Sequence, residues 1–271
     1  MELQRLIEYS ETKSKSTQRI YQHHYKLLRN HFDCDIADVS FDKIKSFIES
    51  LDIAPNTKAM YLNVIIVLNK FCGGTKAPID DLLDYRADLT QAIQINLKRV
   101  NNNLDLPPMG TLLQFMEESL KKKNYRRYII NFLLIHYFVR NQDLDLDIID
   151  DLKKVEEGKN YLILKKNPKH VIYIRQKYKT FKQHGKKEYI IDNPNFYKAV
   201  KEMYDTEEPL MNISNQHCIF KHTYDKLGES KYCKIAINHI RETGNLNMLK
   251  HISERRGTNY GVLLNSYNSD I

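Results

Sequence analysis

The chain has 271 residues, of which 42% are apolar and 28% are charged, and this balance argues against a disordered protein. The longest apolar stretch, YIINFLLIHYF at 128–138, is interrupted by Asn131 and His136 and is too short to cross a bilayer. The first residues, MELQRLIEYSETK, lack the pattern of a signal peptide. A net charge of +8 favours nucleic acid or an anionic membrane surface as a partner.

The cysteines suggest an intracellular protein with reduced thiols. They are spread along the chain and form no C-x-x-C pair, which argues against a metal site or a disulfide framework. The sequence also contains no glycine-rich phosphate loop, no H-E-x-x-H motif and no G-x-S-x-G motif. We therefore expect neither a metal nor another cofactor. The four positions are Cys34, Cys72, Cys218 and Cys233.

The first hundred residues are predicted to be helical. Apolar residues recur at helical spacing over 16–32, 40–52 and 57–72, and a more polar helical segment covers roughly 80–100. Each segment has one apolar face that requires a partner, so we expect the four to pack as a small bundle.

The stretch VNNNLDLPPMG at 100–110 has the composition of a linker. Two further helices are predicted beyond it, followed by three alternating stretches that predict an antiparallel meander, and the remainder from about 194 is again helical. The predicted fold class is mainly α with a small antiparallel sheet. The predicted domains are a helical one at 1–100, a linker at 101–110 and an α+β domain at 111–271. The helices are predicted at 111–122 and 124–139, and the strands at 160–166, 170–179 and 187–193.

Basic residues cluster at 121–127, 165–170, 175–187 and 255–256. Such runs are usually solvated faces. Two of them lie in one predicted hairpin and alternate with aromatic residues, a pattern that fits a surface following a phosphate backbone. The residues predicted to contact DNA are Arg175, Lys177, Lys182, Arg255 and Arg256; for the last two, a solvated pair is an equally good interpretation.

Four residues form a candidate catalytic set when they are taken in chain order. Arg140 ends the most apolar helix, where an arginine is often only a cap or a snorkelling side chain. Lys179 lies between the second and third predicted strands, Arg241 lies in INHIRETG, and Tyr267 lies near the end of RRGTNYGVLLNSYNSDI. In this order the set resembles the tyrosine recombinase/integrase family.

The resemblance covers most of the chain. Residues 16–72, with APNTKAMYLNVIIVLNKF, are similar to the helical core-binding domain of that family, which helps to clamp duplex DNA. FVRNQDLDLDIID resembles the first arginine segment, with Arg140 as the arginine and Asp143 in the acidic position. IRQKYKTFKQHGKKEYII resembles the hairpin that carries the catalytic lysine, here Lys179. This segment is also similar in sequence to recombinase-like proteins of large DNA viruses.

The last two motifs of the family match less completely. NHIR occupies the H-x-x-R position and makes Arg241 the second arginine, but its histidine is replaced by Asn238. RGTNYGVLLNSY occupies the final position, with Gly257 and Tyr267 in place and Thr258 where a histidine or tryptophan is expected. His239 does not simply substitute for Asn238, because one helical step turns a side chain by about 100°.

The resemblance implies a cofactor-free reaction. Tyr267 would attack a DNA phosphate to form a 3′-phosphotyrosyl intermediate, while Arg140 and Arg241 bind its oxygens. Lys179 would protonate the leaving 5′-oxygen, and Asp143 would orient Arg140 or cap the following helix. The loss of a positioned acid–base group costs about 10²–10⁴ in rate, so slow chemistry is expected.

The implied partner is double-stranded DNA, without a membrane. Only four residues follow Tyr267, too few for a helix that docks on a neighbouring subunit, so self-association is expected to depend on DNA. Activity would be intracellular, in the nucleus or cytoplasm of a host if the source is viral.

Three alternatives to a recombinase stay open. The first is a recombinase-derived DNA-binding protein that has lost activity and serves in packaging or architecture, which Asn238 and Thr258 favour. The second is a type IB topoisomerase, which uses the same chemistry as a monomer. The third is a basic helical protein of another purpose, which would require four coincidences in the right order.

Overall fold

The chain forms two compact units, Met1–Arg99 and Val100–Ile271. The computed structural model describes residues 2–71, 76–211, 216–245 and 247–267. In these residues, no helix combines the length and the apolar character needed to cross a membrane.

The first unit is built from helices. Four of them were predicted: α2 (Lys15–Phe32), α3 (Phe41–Ser50), α4 (Pro55–Phe71) and α5 (Ile79–Asn102), the last of which continues past the end of the unit. They follow α1 (Glu2–Ser10), which was not predicted. The buried face of α4, from Tyr61 to Leu68, forms much of the core of the unit.

The polar contacts of Glu2 fix α1. Its carboxylate accepts hydrogen bonds from the backbone N–H groups of Ile36 and Ala37, at 3.1 and 2.8 Å, and from the hydroxyl of Tyr25 at 3.2 Å. These partners are more than twenty residues away, so local sequence did not indicate them.

The second unit contains α6 (Met109–Lys121), α7 (Tyr125–His136), a one-turn α8 (Phe181–His184), α9 (Pro194–Asp205), α10 (Glu229–Glu242), α11 (Asn247–Arg256) and α12 (Tyr260–Tyr267). Every residue of α7 from Tyr128 to Ile135 is buried. This helix is therefore the centre of the unit's core, to which α9, α10 and the sheet also contribute.

The sheet of the second unit has four strands in the order β1 (Leu146–Ile149), β2 (Asn160–Lys166), β3 (Lys169–Arg175) and β4 (Lys187–Ile191). β2, β3 and β4 form the predicted antiparallel meander, with Leu162 opposite Tyr173 and Tyr173 opposite Tyr189. β1 pairs with β2 in parallel. The fold class, mainly α with a small sheet, is confirmed, and the sheet itself is corrected from antiparallel to mixed.

The predicted linker at 101–110 overlaps the irregular stretch between two helices. α5 extends to Asn102 and α6 begins at Met109, so the irregular part is shorter than predicted. The prolines explain where it ends, because Pro108 is the N-cap residue of α6 and cannot donate a hydrogen bond to a preceding turn. The roles of the two predicted domains stay predictions.

Candidate phosphate-binding cleft

The second unit has an open cleft of about 870 Å³, which we call the Arg140 cleft. It lies where the segment 140–142 after α7, the hairpin loop after β3, the first turn of α10 and the turn between α11 and α12 meet. Its lining residues are Arg140, Asn141, Gln142, Lys179, Phe220, Lys226, Gly228, Glu229, Ser230, Lys231, Arg256, Thr258 and Val262.

Arg140 is held at both its backbone and its side chain. Its backbone N–H donates to Asp143 Oδ2 at 2.8 Å, which starts the short 3₁₀ turn Asn141–Leu144. In the guanidinium group, Nη1 donates to the carbonyl oxygen of Arg256 and Nη2 donates to Thr258 Oγ1, both at 2.8 Å. The guanidinium is therefore preorganised at the wall of the cleft.

Asp143 is fully buried and supports Arg140 through the backbone. The same carboxylate oxygen that accepts from the Arg140 N–H accepts from Arg175 Nη2 at 2.5 Å, and both side chains are 0% exposed. The structure therefore contradicts the prediction that Arg175 contacts DNA, because its charge is paired in the interior. The signal was available in the sequence, because Arg175 directly follows the apolar run Val171–Ile174 and is buried with it in β3.

Arg256 is also unsuited to the predicted contact with DNA. It is 2% exposed, its Nη2 pairs with Glu229 Oε1 at 3.3 Å, and its Nη1 donates to the carbonyl oxygen of Phe138 at 3.2 Å. Arg256 thus joins α11 to α10 and to the segment that follows α7, which leaves little of its side chain for a DNA contact.

The other three predicted DNA contacts differ in their surroundings. Arg255 stacks over the Tyr137 ring at 4.9 Å and donates to the carbonyl oxygen of His136, so its guanidinium serves packing. Lys177 is exposed and pairs with Asp145 at 2.5 Å, and Lys182 is exposed. Only the two lysines keep the surface position that a backbone contact requires.

Gly257 allows the chain to approach the hairpin loop closely. Its φ of +61° is in the left-handed region, and a Cβ atom there would lie 2.5 Å from Thr180 Oγ1. The same hydroxyl donates to the Gly257 carbonyl oxygen at 2.8 Å. The glycine therefore fixes the next residue, Thr258, beside Arg140.

Asn238 and Arg241 are not among the residues that line the Arg140 cleft. Asn238 lines a separate cleft of about 170 Å³, together with residues of 106–109 and Glu242. Arg241 is in the last turn of α10, ten residues and about 15 Å along the helix from Lys231. The structure thus brings Arg140, Lys179 and Thr258 together but leaves Asn238 and Arg241 outside this group.

The predicted nucleophile is in α12, which ends at Tyr267. Val262 in the same helix lines the Arg140 cleft, and Leu263 is buried. The side chain of Tyr267 lies outside the described residues.

A second lysine was missed by the sequence analysis. Lys187 is half-buried at the start of β4, donates a hydrogen bond to the carbonyl oxygen of Glu254 and lies 5.4 Å from the centre of the Tyr178 ring. Burial, with the charges of Arg175 and Arg140, lowers the pKa of Lys187 to about 8. The period-2 pattern predicts its position, because Lys187 shares a strand face with the buried Ile191.

Metal binding has no support in the part of the chain that the structure describes. No group of three or more His, Cys, Asp or Glu side chains is placed there to hold an ion. The cleft instead presents positive groups, which suit an anionic ligand.

Comparison with models of protein families gives no match, and comparison with curated proteins gives none either. Among solved structures, one described as the crystal structure of XerA recombinase aligns over 99% of this chain and 94% of that chain. The sequence identity is 13% and the TM-score is 0.39. A similarity at this level carries no argument about fold, activity or site residues.

Proposed function

We propose that the protein breaks and rejoins duplex DNA through a 3′-phosphotyrosyl intermediate formed by Tyr267. The observation that carries the proposal is the Arg140 cleft, in which a preorganised guanidinium shares an open wall with lysines from separate elements. A phosphodiester suits such a site, since an arginine binds its oxygens in a bidentate manner and lysine adds positive charge.

In the proposed reaction, the phenolic oxygen of Tyr267 forms a bond to phosphorus while the bond from phosphorus to the 5′-oxygen breaks. The phenolic proton goes to solvent, and the leaving oxygen takes a proton from a lysine. Arg140 stabilises the negative charge that grows on the nonbridging oxygens. Religation is the reverse, with the 5′-hydroxyl as nucleophile.

A lysine of the Arg140 cleft can supply the proton. Lys179, to which the resemblance assigns this role, lines the cleft. Lys187, whose pKa burial lowers to about 8, lines a different cleft with Tyr189 and donates to the Glu254 carbonyl oxygen. We therefore favour Lys179 as the proton donor.

The second candidate function is a DNA-binding protein without catalysis. It is favoured by Thr258, whose hydroxyl accepts a hydrogen bond from Arg140 and supplies no imidazole, and by the position of Asn238 in a different cleft. Such a protein would bind duplex DNA through the same positive cleft, with an architectural or packaging role.

A nicked duplex that loses a short fragment after cleavage would trap the intermediate. Because the target sequence is unknown, a pool of randomised nicked duplexes is used. The wild type is expected to form a detergent-resistant adduct that Tyr267→Phe abolishes. Tyr260→Phe, in the same helix, is the matched control and should keep the adduct.

The outcomes separate the two candidates. An adduct that persists in Tyr267→Phe would show that Tyr267 is not the nucleophile. No wild-type adduct on any member of the pool, combined with strongly salt-dependent binding, would favour the architectural function.

A further inference from the structure

Two lysines on neighbouring segments line the Arg140 cleft although no family motif indicated them. Lys226 belongs to the loop at 222–228, and Lys231 belongs to the first turn of α10. Both side chains are exposed. The cleft therefore receives positive charge from a loop and from the helix that follows it in the chain, and neither lysine belongs to a motif of the family.

The backbone of this loop is strained at the position that carries Lys226. Asp225 has φ 42° and ψ 38°, and Lys226 has φ 54°, so two consecutive residues other than glycine adopt the left-handed conformation. This conformation is unfavourable for residues with a Cβ atom and persists only where surrounding contacts impose it.

A buried polar network imposes the conformation. Asn131 is 0% exposed, and its Nδ2 donates to the His222 carbonyl oxygen at 2.7 Å. The Tyr232 hydroxyl donates to Asn131 Oδ1 at 2.5 Å and accepts from the backbone N–H of Tyr224 at 3.0 Å. Leu227 then anchors the loop in the core. The loop and the first turn of α10 are thus fixed before a ligand binds.

The acidic residue in the cleft does not cancel this positive charge. Glu229 Oε1 pairs with the buried Arg256, and Glu229 Oε2 accepts from the backbone N–H of Asn141. The negative charge of Glu229 is therefore compensated by groups of the protein itself. The cations that face the open cleft remain in excess and favour a polyanion with regularly spaced charges.

We infer that Lys226 and Lys231 bind backbone phosphates of duplex DNA beside the phosphate that Arg140 holds, and that Lys231 replaces Arg241 as the second cation of the site. This inference rests on the proposed function for the identity of the ligand. It differs from the family resemblance in its residues, because Arg241 is at the other end of α10.

The test measures binding of a 30-base-pair duplex at several salt concentrations. Each phosphate contact that is lost should reduce the slope of log K against log salt by about 0.9. We expect Lys231→Ala and Lys226→Ala each to weaken binding and reduce the slope, while Lys231→Arg keeps both. Lys198→Ala, an exposed lysine of α9 with the same charge change, is the matched control. Arg241→Ala should behave like this control.

Lys226→Gly separates binding from folding. Glycine adopts φ 54° without a Cβ clash, so this variant should unfold at a temperature no lower than the wild type and still bind DNA more weakly. Unchanged binding in Lys226→Gly and Lys231→Ala would overturn the inference, as would a reduced slope in Arg241→Ala alone. A missing covalent adduct would count against the proposed catalysis only, because the salt slope reports binding.

Discussion

The two ends of α10 differ in what they contact, although the sequence motif pointed to only one of them. At the amino end, residues 228–231 line the Arg140 cleft with the end of α7 and the Gly257 turn. At the carboxyl end, Asn238 and Glu242 line a smaller cleft against residues 106–109. The H-x-x-R resemblance falls on the carboxyl end, whereas the positive cleft is at the amino end.

A residue order that matches a motif does not by itself place those residues in the cleft. NHIR has the residue order of a phosphate-binding motif, but a helix carries successive turns away from one another at 1.5 Å per residue. Which turn faces the cleft depends on contacts with α7 and α11. These contacts join residues more than eighty positions apart, such as Arg140 with Arg256 and Asn141 with Glu229.

The largest effect is expected for Arg140→Ala. The change removes a preorganised guanidinium from the amino-end cleft, so the rate of adduct formation should fall by about 10²–10³. Arg140→Lys keeps the charge but loses the bidentate geometry and should recover only part of the rate. At the other end, Asn238→Ala should leave the rate of adduct formation unchanged, because Asn238 does not line the Arg140 cleft. A larger loss of rate in Asn238→Ala than in Arg140→Ala would reverse the comparison.

Gly257→Ala should reduce the stability of the protein. The added Cβ would meet Thr180 Oγ1 at 2.5 Å with φ at +61°, so the turn that carries Thr258 must shift. We expect the free energy of unfolding to fall by more than about 1 kcal/mol, measured by urea denaturation. Gly110→Ala is the matched control, because a Cβ at that helical position has nothing within 4 Å. Equal stability of the two variants would show that the close approach does not matter.

Tyr232→Phe should loosen the amino end of α10 alone. The variant loses the bond to Asn131 and leaves the Tyr224 N–H without its acceptor, at a cost of about 1–3 kcal/mol. Hydrogen exchange of residues 222–228 should become faster, and DNA binding should weaken. Exchange at 238–242 should change less, and equal acceleration at both ends would indicate general unfolding instead.

The smallest expected effect is a dependence of folding stability on pH that arises from Lys187. Its pKa of about 8 lies below its ordinary value of 10.5, so the unfolded chain binds more protons between these values. Stability should therefore rise as pH increases from about 8 to 10.5. Below pH 8, the charged Lys187 should lower the stability by its full amount. The free energy of unfolding, measured at pH 7.5 and pH 10, should rise less in Lys187→Met than in the wild type.

Lys186→Met is the control for this measurement, because Lys186 is exposed and pairs with Glu188 on the surface. The control should keep the full rise with pH. If both variants keep it, the lowered pKa is not that of Lys187.

Most of the secondary structure followed from local patterns. The helical spacing predicted α2 to α7, and the alternation of apolar residues predicted β2 and β4 close to their observed limits. β3 was predicted to end at residue 179 but ends at Arg175. α1 and β1 were missed because both depend on contacts with residues that are distant in the sequence. α1 depends on the contacts of Glu2 with Ile36 and Ala37, and β1 has four residues and pairs in parallel with a strand reached only after a connection.

The candidate site was only partly predictable, because burial decides which charged residue is available to a ligand. Arg140 and Lys179 were found by their places in the sequence, and both line the cleft. Arg175 has the same composition signal as the exposed Lys177, but its place on the inner face of β3 pairs it with Asp143. Lys231 gave no signal, since its position depends on how the first turn of α10 packs near the Gly257 turn.

We propose that DNA phosphate binds at the amino end of α10, in the Arg140 cleft. In a crystal structure with a nicked duplex, we expect a backbone phosphate within about 3 Å of the Arg140 guanidinium and of Lys231 Nζ. A duplex whose phosphate contacts Arg241, with the Arg140 cleft left unoccupied, would contradict it.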